Sequence, residues 1–221
     1  MSILELKLAK EGLLMIVDSA EYKRRIMKAY NALARELAKG YDHHFETYAR
    51  LEADHFLARL NKGGTILDLG CGVGSASRYF AERGYTPVST DLSEEMTNEC
   101  KRRGLTSLVR LDLEALPFLY SSFDGVWAHT SLLHMPKHRL ANAIEGLEKI
   151  LKPGGALFIA LREGEGEGYE GRFGIERWFA YFQANEFGSH IPSAYRIERS
   201  SRTERQRVTF LNYHLVKAGE H

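Results

Sequence analysis

The stretch TILDLGCGVGSA, residues 65 to 76, decides the reading of this chain. Thr65, Ile66, Leu67 and Leu69 enclose Asp68, and glycines then fall at Gly70, Gly72 and Gly74 before small residues open a helix. That order predicts a strand, a tight turn and a helix start. Glycine at every second position removes Cβ atoms, so the backbone can take positive φ and a ligand can lie against bare peptide groups. A crevice at the carboxyl end of a strand is where open α/β sheets bind nucleotides. A dinucleotide fingerprint, G-x-G-x-x-G, would need glycine at position 75, where the chain has Ser75. The pattern present is D-x-G-x-G-x-G, with an acid two residues before the first glycine; its plainer alternative is a glycine turn capped by a buried Asp68.

Outward from that stretch, 221 residues suffice for one α/β domain with its own core. Thirty basic and 29 acidic residues leave a net charge of +1, so no global field points to nucleic acid or an anionic membrane. Cys71 and Cys100 make no metal spacing and read as reduced thiols of a cytoplasmic protein; no metal site is expected. The apolar run Leu13 to Val17 is too short for a signal segment or a membrane span.

Before the strand, Asp18 and Glu21 have capping-box form, Tyr22, Ile26, Tyr30, Leu33 and Leu37 make one apolar stripe, and Gly40 is expected to end that helix. A second helix is expected from about Phe45 to Leu60. The expected division is an N-terminal helical segment, 1–60, over a single unit, 61–221. After the glycine turn come a helix to Gly84, a strand Tyr85 to Asp91, and a helix with Ser93 at its N-cap and Lys101 to Arg103 at its end. Asp91 stands 17 residues after Gly74, near the spacing at which a carboxylate accepts from ribose hydroxyls, and Ser93 leaves it free of capping duty. A short strand, Leu108 to Leu111, leads to Asp112; Phe123 to His129 reads as a central strand, Pro136 opens a helix closed by Lys152 to Gly155, and Ala156 to Leu161 is the next strand. The Gly/Glu alternation of residues 162–171 reads as a solvated loop at the substrate mouth, Phe173 to Phe187 as an aromatic helix, and Ser193 to Arg199 with Val208 to Val216 as a hairpin turning through Arg202 and Thr203. Glu198 and Glu204 interleave Arg199, Arg202, Arg205 and Arg207, which suits a hairpin tip better than a nucleic-acid surface.

D-x-G-x-G-x-G, the acid at Asp91, Asp112 followed by Leu116-Pro117-Phe118, F-D-G-V-W with S-L-L-H-M-P, and L-K-P-G-G stand in series over residues 65–161. Together they resemble the class I S-adenosylmethionine-dependent methyltransferases of small-molecule type. The resemblance implies a Rossmann-like seven-stranded sheet of order 3-2-1-4-5-7-6, its last strand antiparallel, under an N-terminal helical lid. It also implies S-adenosylmethionine as cofactor, S-adenosylhomocysteine as product, and a small-molecule methyl acceptor, with the chain a monomer or homodimer. Cofactor contacts are implied for Asp68, Gly70, Cys71, Gly72, Gly74, Asp91, Leu92, Met96, Asp112, Leu113 and His129, with Tyr30 and Tyr41 lying over the cofactor or packing helix to core. Asp112 would meet the adenine amine or simply form a turn. His129 and His134, just past the central strand, are candidate general bases, or one of them binds a backbone carbonyl or caps a helix. The N/D-P-P-Y/F motif of adenine and glutamine methylation is absent, which disfavours a macromolecular acceptor. A non-catalytic S-adenosylmethionine-binding module would carry the same motifs. Asn185-Glu186-Phe187-Gly188 departs from the A-G-F of many relatives, in the region that shapes the acceptor pocket.

Overall fold

The structure, a computed structural model, describes residues 4–8, 14–172 and 175–219. The N-terminal segment is not helical throughout: β1 (Leu4–Leu8) pairs antiparallel with β2 (Leu14–Asp18) before helix α1 (Ser19–His44) begins. Part of the short apolar run, and the Asp18 side chain expected to cap α1, lie outside what is described. Nor does Gly40 end the helix. One glycine costs a helix interior only about 1 kcal/mol, and the chain beyond it is held by tertiary bonds: Asp42 accepts from Ser75 Oγ (2.6 Å) and from Arg103 Nη1 (2.8 Å). The path continues through a π-helical turn (Phe45–Ala49) into α2 (Arg50–Leu57).

The main sheet then follows the expected alternation. It comprises β3 (Thr65–Leu69), α3 (Ser75–Glu82), β4 (Thr86–Asp91), α4 (Glu94–Arg102), β5 (Leu108–Arg110), β6 (Phe123–His129), α5 (Lys137–Ile150) and β7 (Leu151–Glu163). β8 (Glu167–Arg172), β9 (Ile175–Phe182), the short α6 (Ala184–Phe187), β10 (Tyr195–Arg205) and β11 (Val208–Lys217) complete it. The order is β5-β4-β3-β6-β7-β11-β10, with β3 to β7 parallel and β11 antiparallel to β7. Counted from β3 over these seven strands, this is 3-2-1-4-5-7-6, as expected.

Strand alternation splits the core into two layers. Leu67, Leu69, Val126, Ala128, Leu157 and Ile159 face Leu140, Ile144 and Leu147 of α5; Ile66, Trp127 and Phe158 face Phe56 of α2 and Tyr79 and Phe80 of α3. The Tyr22, Ile26 and Tyr30 stripe of α1 joins the first layer.

Two expectations fail beyond β7. The Glu/Gly segment is not an open loop, and residues 175–182 are not a helix: β8 and β9 form an antiparallel ribbon whose far end joins β7 at Arg162↔Tyr181 and Glu163↔Phe182. The physical reason is a period of two. Trp178, Ala180 and Phe182 are buried on one side of β9, while Arg177, Phe179 and Tyr181 share the other. Gly168 stands opposite Phe179, and a Cβ there would meet nothing within 4 Å. Of the expected helix only α6 is helical; Phe173 and Gly174 lie outside the described residues. The last hairpin turns at Gln206 and Arg207, three to four residues beyond Arg202 and Thr203, with Gln206 at φ 54°. Ser201 and Thr203 remain in the strand because Asn212 Nδ2 donates across to both hydroxyls (3.2 and 2.8 Å).

Candidate active site

The glycine turn is tied to the tip of β4. Gly70 and Cys71 both donate to the Thr90 carbonyl (2.8 Å each), and Gly72 N–H donates to Asp91 Oδ2 (3.0 Å). Gly70, Gly72 and Gly74 have φ of 76°, 56° and 79°, the left-handed region where L side chains are strained. At Gly70 a Cβ would come within 2.5 Å of Ser131 Cβ, and at Gly74 within 2.2 Å of Leu105. At Gly72 it would meet only Tyr41, at 3.5 Å, so α1 passes directly over the bare turn.

Asp91 is less idle than the sequence suggests, since its Oδ1 accepts from Ser93 N–H (2.8 Å) while Oδ2 holds Gly72. Each carboxylate oxygen still has a lone pair to offer. Burial pushes its pKa up to about 6, against the lowering effect of those backbone N–H groups. Asp68 is only 2% exposed; it accepts from Ser77 Oγ of α3 (2.6 Å), and burial raises it to about 7. Its carboxylate therefore underlies the turn instead of lining it. Cys71 is half-buried, with its sulfur 3.7 Å from that of Cys100, and both are free thiols.

Helix α1 latches across this end of the sheet. Asn31 Oδ1 accepts from Ser93 Oγ (2.7 Å), and Lys23 donates to Asp112 Oδ2 (2.6 Å) and also pairs with Glu114. Asp112 Oδ1 accepts from Glu114 N–H (3.0 Å), so this acid makes a turn and an ion pair, the plainer of its two readings. Met96 is fully buried against Ala34 and Val73, while Leu92 and Leu113 are half-buried beside Asp91 and Asp112.

Past β6 the chain carries Thr130 at φ 59°, an outlying conformation for a β-branched residue, and Ser131, whose buried Oγ has no hydrogen-bond partner among the described residues. Neither was singled out by sequence; the signal available was only their place after a central strand. His134 is buried. Its Nδ1 lies 2.8 Å from the Trp178 carbonyl, which can only accept, so Nδ1 carries the proton and Nε2 accepts from Tyr30 O–H at 2.6 Å. Burial holds His134 down to about 3. Of its two sequence readings the structure displays the carbonyl-bound one. His129 lies apart, parallel to Trp127 and Phe158 with centroids at 5.8 and 6.2 Å, and burial lowers it to about 4. Tyr41, the glycines, Asp91 and Ser93 thus gather at the tips of β3 and β4, and Tyr30, His134 and β9 at those of β6 and β7.

These features fit a nucleoside carrying a charged amino-acid tail. The turn is a cradle that Cβ atoms would fill, Asp91 offers acceptors to a diol, and Ser131 Oγ awaits a partner. Among the described residues no His/Cys/Asp/Glu group could hold a metal, and no helix is long and apolar enough to cross a membrane.

Comparisons with known proteins agree. Residues 67–159 match the family described as Methyltransferase domain. The malonyl-[acyl-carrier protein] O-methyltransferase of Enterobacter lignolyticus is 35% identical over 123 residues, covering 54% of this chain and 48% of that protein. The enzyme of the same name from Pseudescherichia vulneris is 32% identical, over 64% of this chain and 55% of its own. The chain thus spans about half the length of these curated relatives. Among solved structures, the Burkholderia thailandensis 1,6-didemethyltoxoflavin-N1-methyltransferase, bound to its substrate and S-adenosylhomocysteine, superposes with a TM-score of 0.74 at 18% identity, over 96% of this chain and 95% of that one. The [4+2]-cyclase SpnF shares the fold at a TM-score of 0.61 and 18% identity, over 77% and 81%.

Proposed function

We propose that this chain is a class I S-adenosylmethionine-dependent methyltransferase, a reading its methyltransferase-domain match and its fold support, and that it transfers a methyl group from S-adenosylmethionine to a small-molecule acceptor. The observation that carries the proposal is the glycine cradle tied to Asp91, roofed by Tyr41 and joined to the buried Ser131 hydroxyl. The Gly70, Gly72 and Gly74 backbone would hold the amino-acid tail, Asp91 the ribose hydroxyls, and Leu92, Met96, Asp112 and Leu113 would border the base. Asp68 acts from beneath by fixing α3 through Ser77. When bound, S-adenosylmethionine supplies a methyl group already activated on sulfur. What remains for the protein is positioning, worth roughly 7 to 11 kcal/mol when two reactants are held in line. Tyr30 and Tyr41 exclude water from above; His134, through Tyr30, fixes the position of α1 over the β6 tip. A base at His129 or His134 is optional, and both imidazoles are held neutral and weakly basic by burial.

The similar proteins are named for a malonyl-[acyl-carrier protein] and for 1,6-didemethyltoxoflavin as acceptors, which supports a low-molecular-weight methyl-accepting group. A second reading is a cofactor-binding chain that moves no methyl group, favoured by one observation: a protein named as a cyclase has this fold. Calorimetry with S-adenosylhomocysteine, with NAD as control, tests the site. Transfer of label from methyl-labelled S-adenosylmethionine into a small-molecule extract tests the reaction. Heat with S-adenosylhomocysteine but no labelled product supports the second reading, and no heat at millimolar ligand refutes both.

A further inference from the structure

The ribbon β8–β9 brings two guanidinium groups to one ring beside His134. Arg177 Cζ lies 5.2 Å and Arg162 Cζ 4.8 Å from the centre of Phe179, whose ring is 4.7 Å from that of His134. Arg177 is also 5.1 Å from the Tyr30 ring, and Arg162 5.2 Å from Tyr181, its register partner across β7 and β9. Stacking on aromatic faces holds a guanidinium plane and leaves its N–H edge to bind something else.

The two edges are treated differently. Arg162 Nη1 donates to Glu170 Oε2 (3.2 Å) and to Tyr181 Oη (3.3 Å). Glu170 is the register partner of Arg177, yet it turns to Arg162. Among the described residues Arg177 forms no ion pair with a carboxylate; its half-buried side chain meets the Tyr30 hydroxyl, a neutral partner that leaves the charge uncompensated. A partly desolvated cation without a counter-ion is costly, and this one stands beside the hydroxyl and imidazole that close the β6 tip. Two guanidinium groups and one glutamate leave a local charge of +1, which suits a monoanion. A phosphate dianion would overcompensate it. The planar fork of arginine matches the two oxygens of a carboxylate.

We infer that the methyl acceptor carries a carboxylate, and that Arg177, with Arg162 behind it, is the residue that selects for it. The inference rests on the methyl-transfer reading only for what the bound acid is there to receive. The apolar side of such an acid would lie against Phe179, and Gly168, opposite in the ribbon, leaves space for it.

Titration of the full chain with benzoate, benzamide and phenyl phosphate, each with and without S-adenosylhomocysteine, tests this by calorimetry or ligand-observed NMR. Benzoate is expected to bind at least tenfold more tightly than the amide or the phosphate. Arg177→Gln is expected to abolish that discrimination and Arg162→Gln to reduce it, with S-adenosylhomocysteine affinity within threefold of the parent in both; Arg177→Lys should retain only part. Equal binding of acid and amide, tighter binding of phenyl phosphate, or undiminished discrimination in both glutamine variants overturns the inference. Should Arg177→Gln fail to fold, the wild-type panel and Arg162→Gln decide it. Selection for benzoate in a chain that does not bind S-adenosylhomocysteine refutes the methyl-transfer reading and keeps the carboxylate site. S-adenosylhomocysteine binding without selection refutes the carboxylate site alone.

Discussion

Two glycine-rich segments of this chain look alike in composition and do opposite things. In residues 70–74 the glycines are forced: positive φ, close contacts with Ser131 and Leu105, and backbone N–H groups committed to Thr90 and Asp91. In residues 164–171 they alternate with glutamate: Gly164 and Gly166, before the strand, also take positive φ, but Gly168 within the strand does not, and a Cβ there would meet nothing within 4 Å. The first set shapes a site through its own backbone. The second leaves open space beside the aromatic and basic side chains of its partner strand.

The sharpest test of that contrast is a pair of alanine substitutions. Gly70→Ala combines left-handed backbone strain, about 1 to 2 kcal/mol, with an overpacked contact of about 1 to 3 kcal/mol. Denaturant unfolding should show it destabilised by roughly 2 to 5 kcal/mol. Gly168→Ala should stay within about 0.5 kcal/mol of the parent. Equal effects would show that the two segments are not built differently.

Next in size is Asp91, the carboxylate proposed to hold the cofactor ribose. Hydrogen bonds to a charged group are worth about 1.5 to 3 kcal/mol, so Asp91→Asn should weaken S-adenosylhomocysteine binding roughly 10- to 150-fold. Asp112→Asn, whose carboxylate is already held by Lys23, should cost far less. The pH dependence has a definite sign. With Asp91 raised to about 6, the ionised acceptor is lost as pH falls through that value, so wild-type affinity declines from pH 7.5 to 5. In Asp91→Asn the decline should vanish; a decline that persists unchanged assigns it to another group.

The same contrast explains what could be read in advance. From Thr65 to Leu161 the strands β3, β4 and β6 are each followed by a turn and a helix, and the instructions are local: glycines at Gly70, Gly72 and Gly74, the Ser93 cap that accepts from Met96 N–H, the proline before α5. Sheet order came from the family resemblance that these motifs carry. The ribbon was missed because β8 becomes a strand only through β9, and neither its glutamates nor its glycines favour that state alone. Gly40 misled for a related reason, since the bonds of Asp42 to Ser75 and Arg103 carry the helix past it. In the candidate site, the glycine turn and its meeting with Asp91 at the β4 tip were legible as geometry. Ser131, Thr130, Arg162 and Arg177 were not, because their significance comes from what lies across the sheet.

The smallest expected effects concern the Tyr30 and His134 pair, and they bear on how the acceptor end works. Tyr30→Phe removes one neutral hydrogen bond, about 0.5 to 1.5 kcal/mol, and should lower turnover severalfold while sparing S-adenosylhomocysteine affinity. His134→Ala should lower turnover further, again with affinity retained; equal loss of both would mark His134 as structural support for the whole site. Because burial holds the imidazole down to about 3 and both ring nitrogens are engaged, the pH profile of turnover should show no histidine limb near pH 6.5. A limb there that disappears in His134→Ala would mean that Tyr30 releases Nε2 during turnover and the imidazole acts as a base. The acceptor end would then be as chemically active as the cofactor end, and its role would no longer be positioning alone.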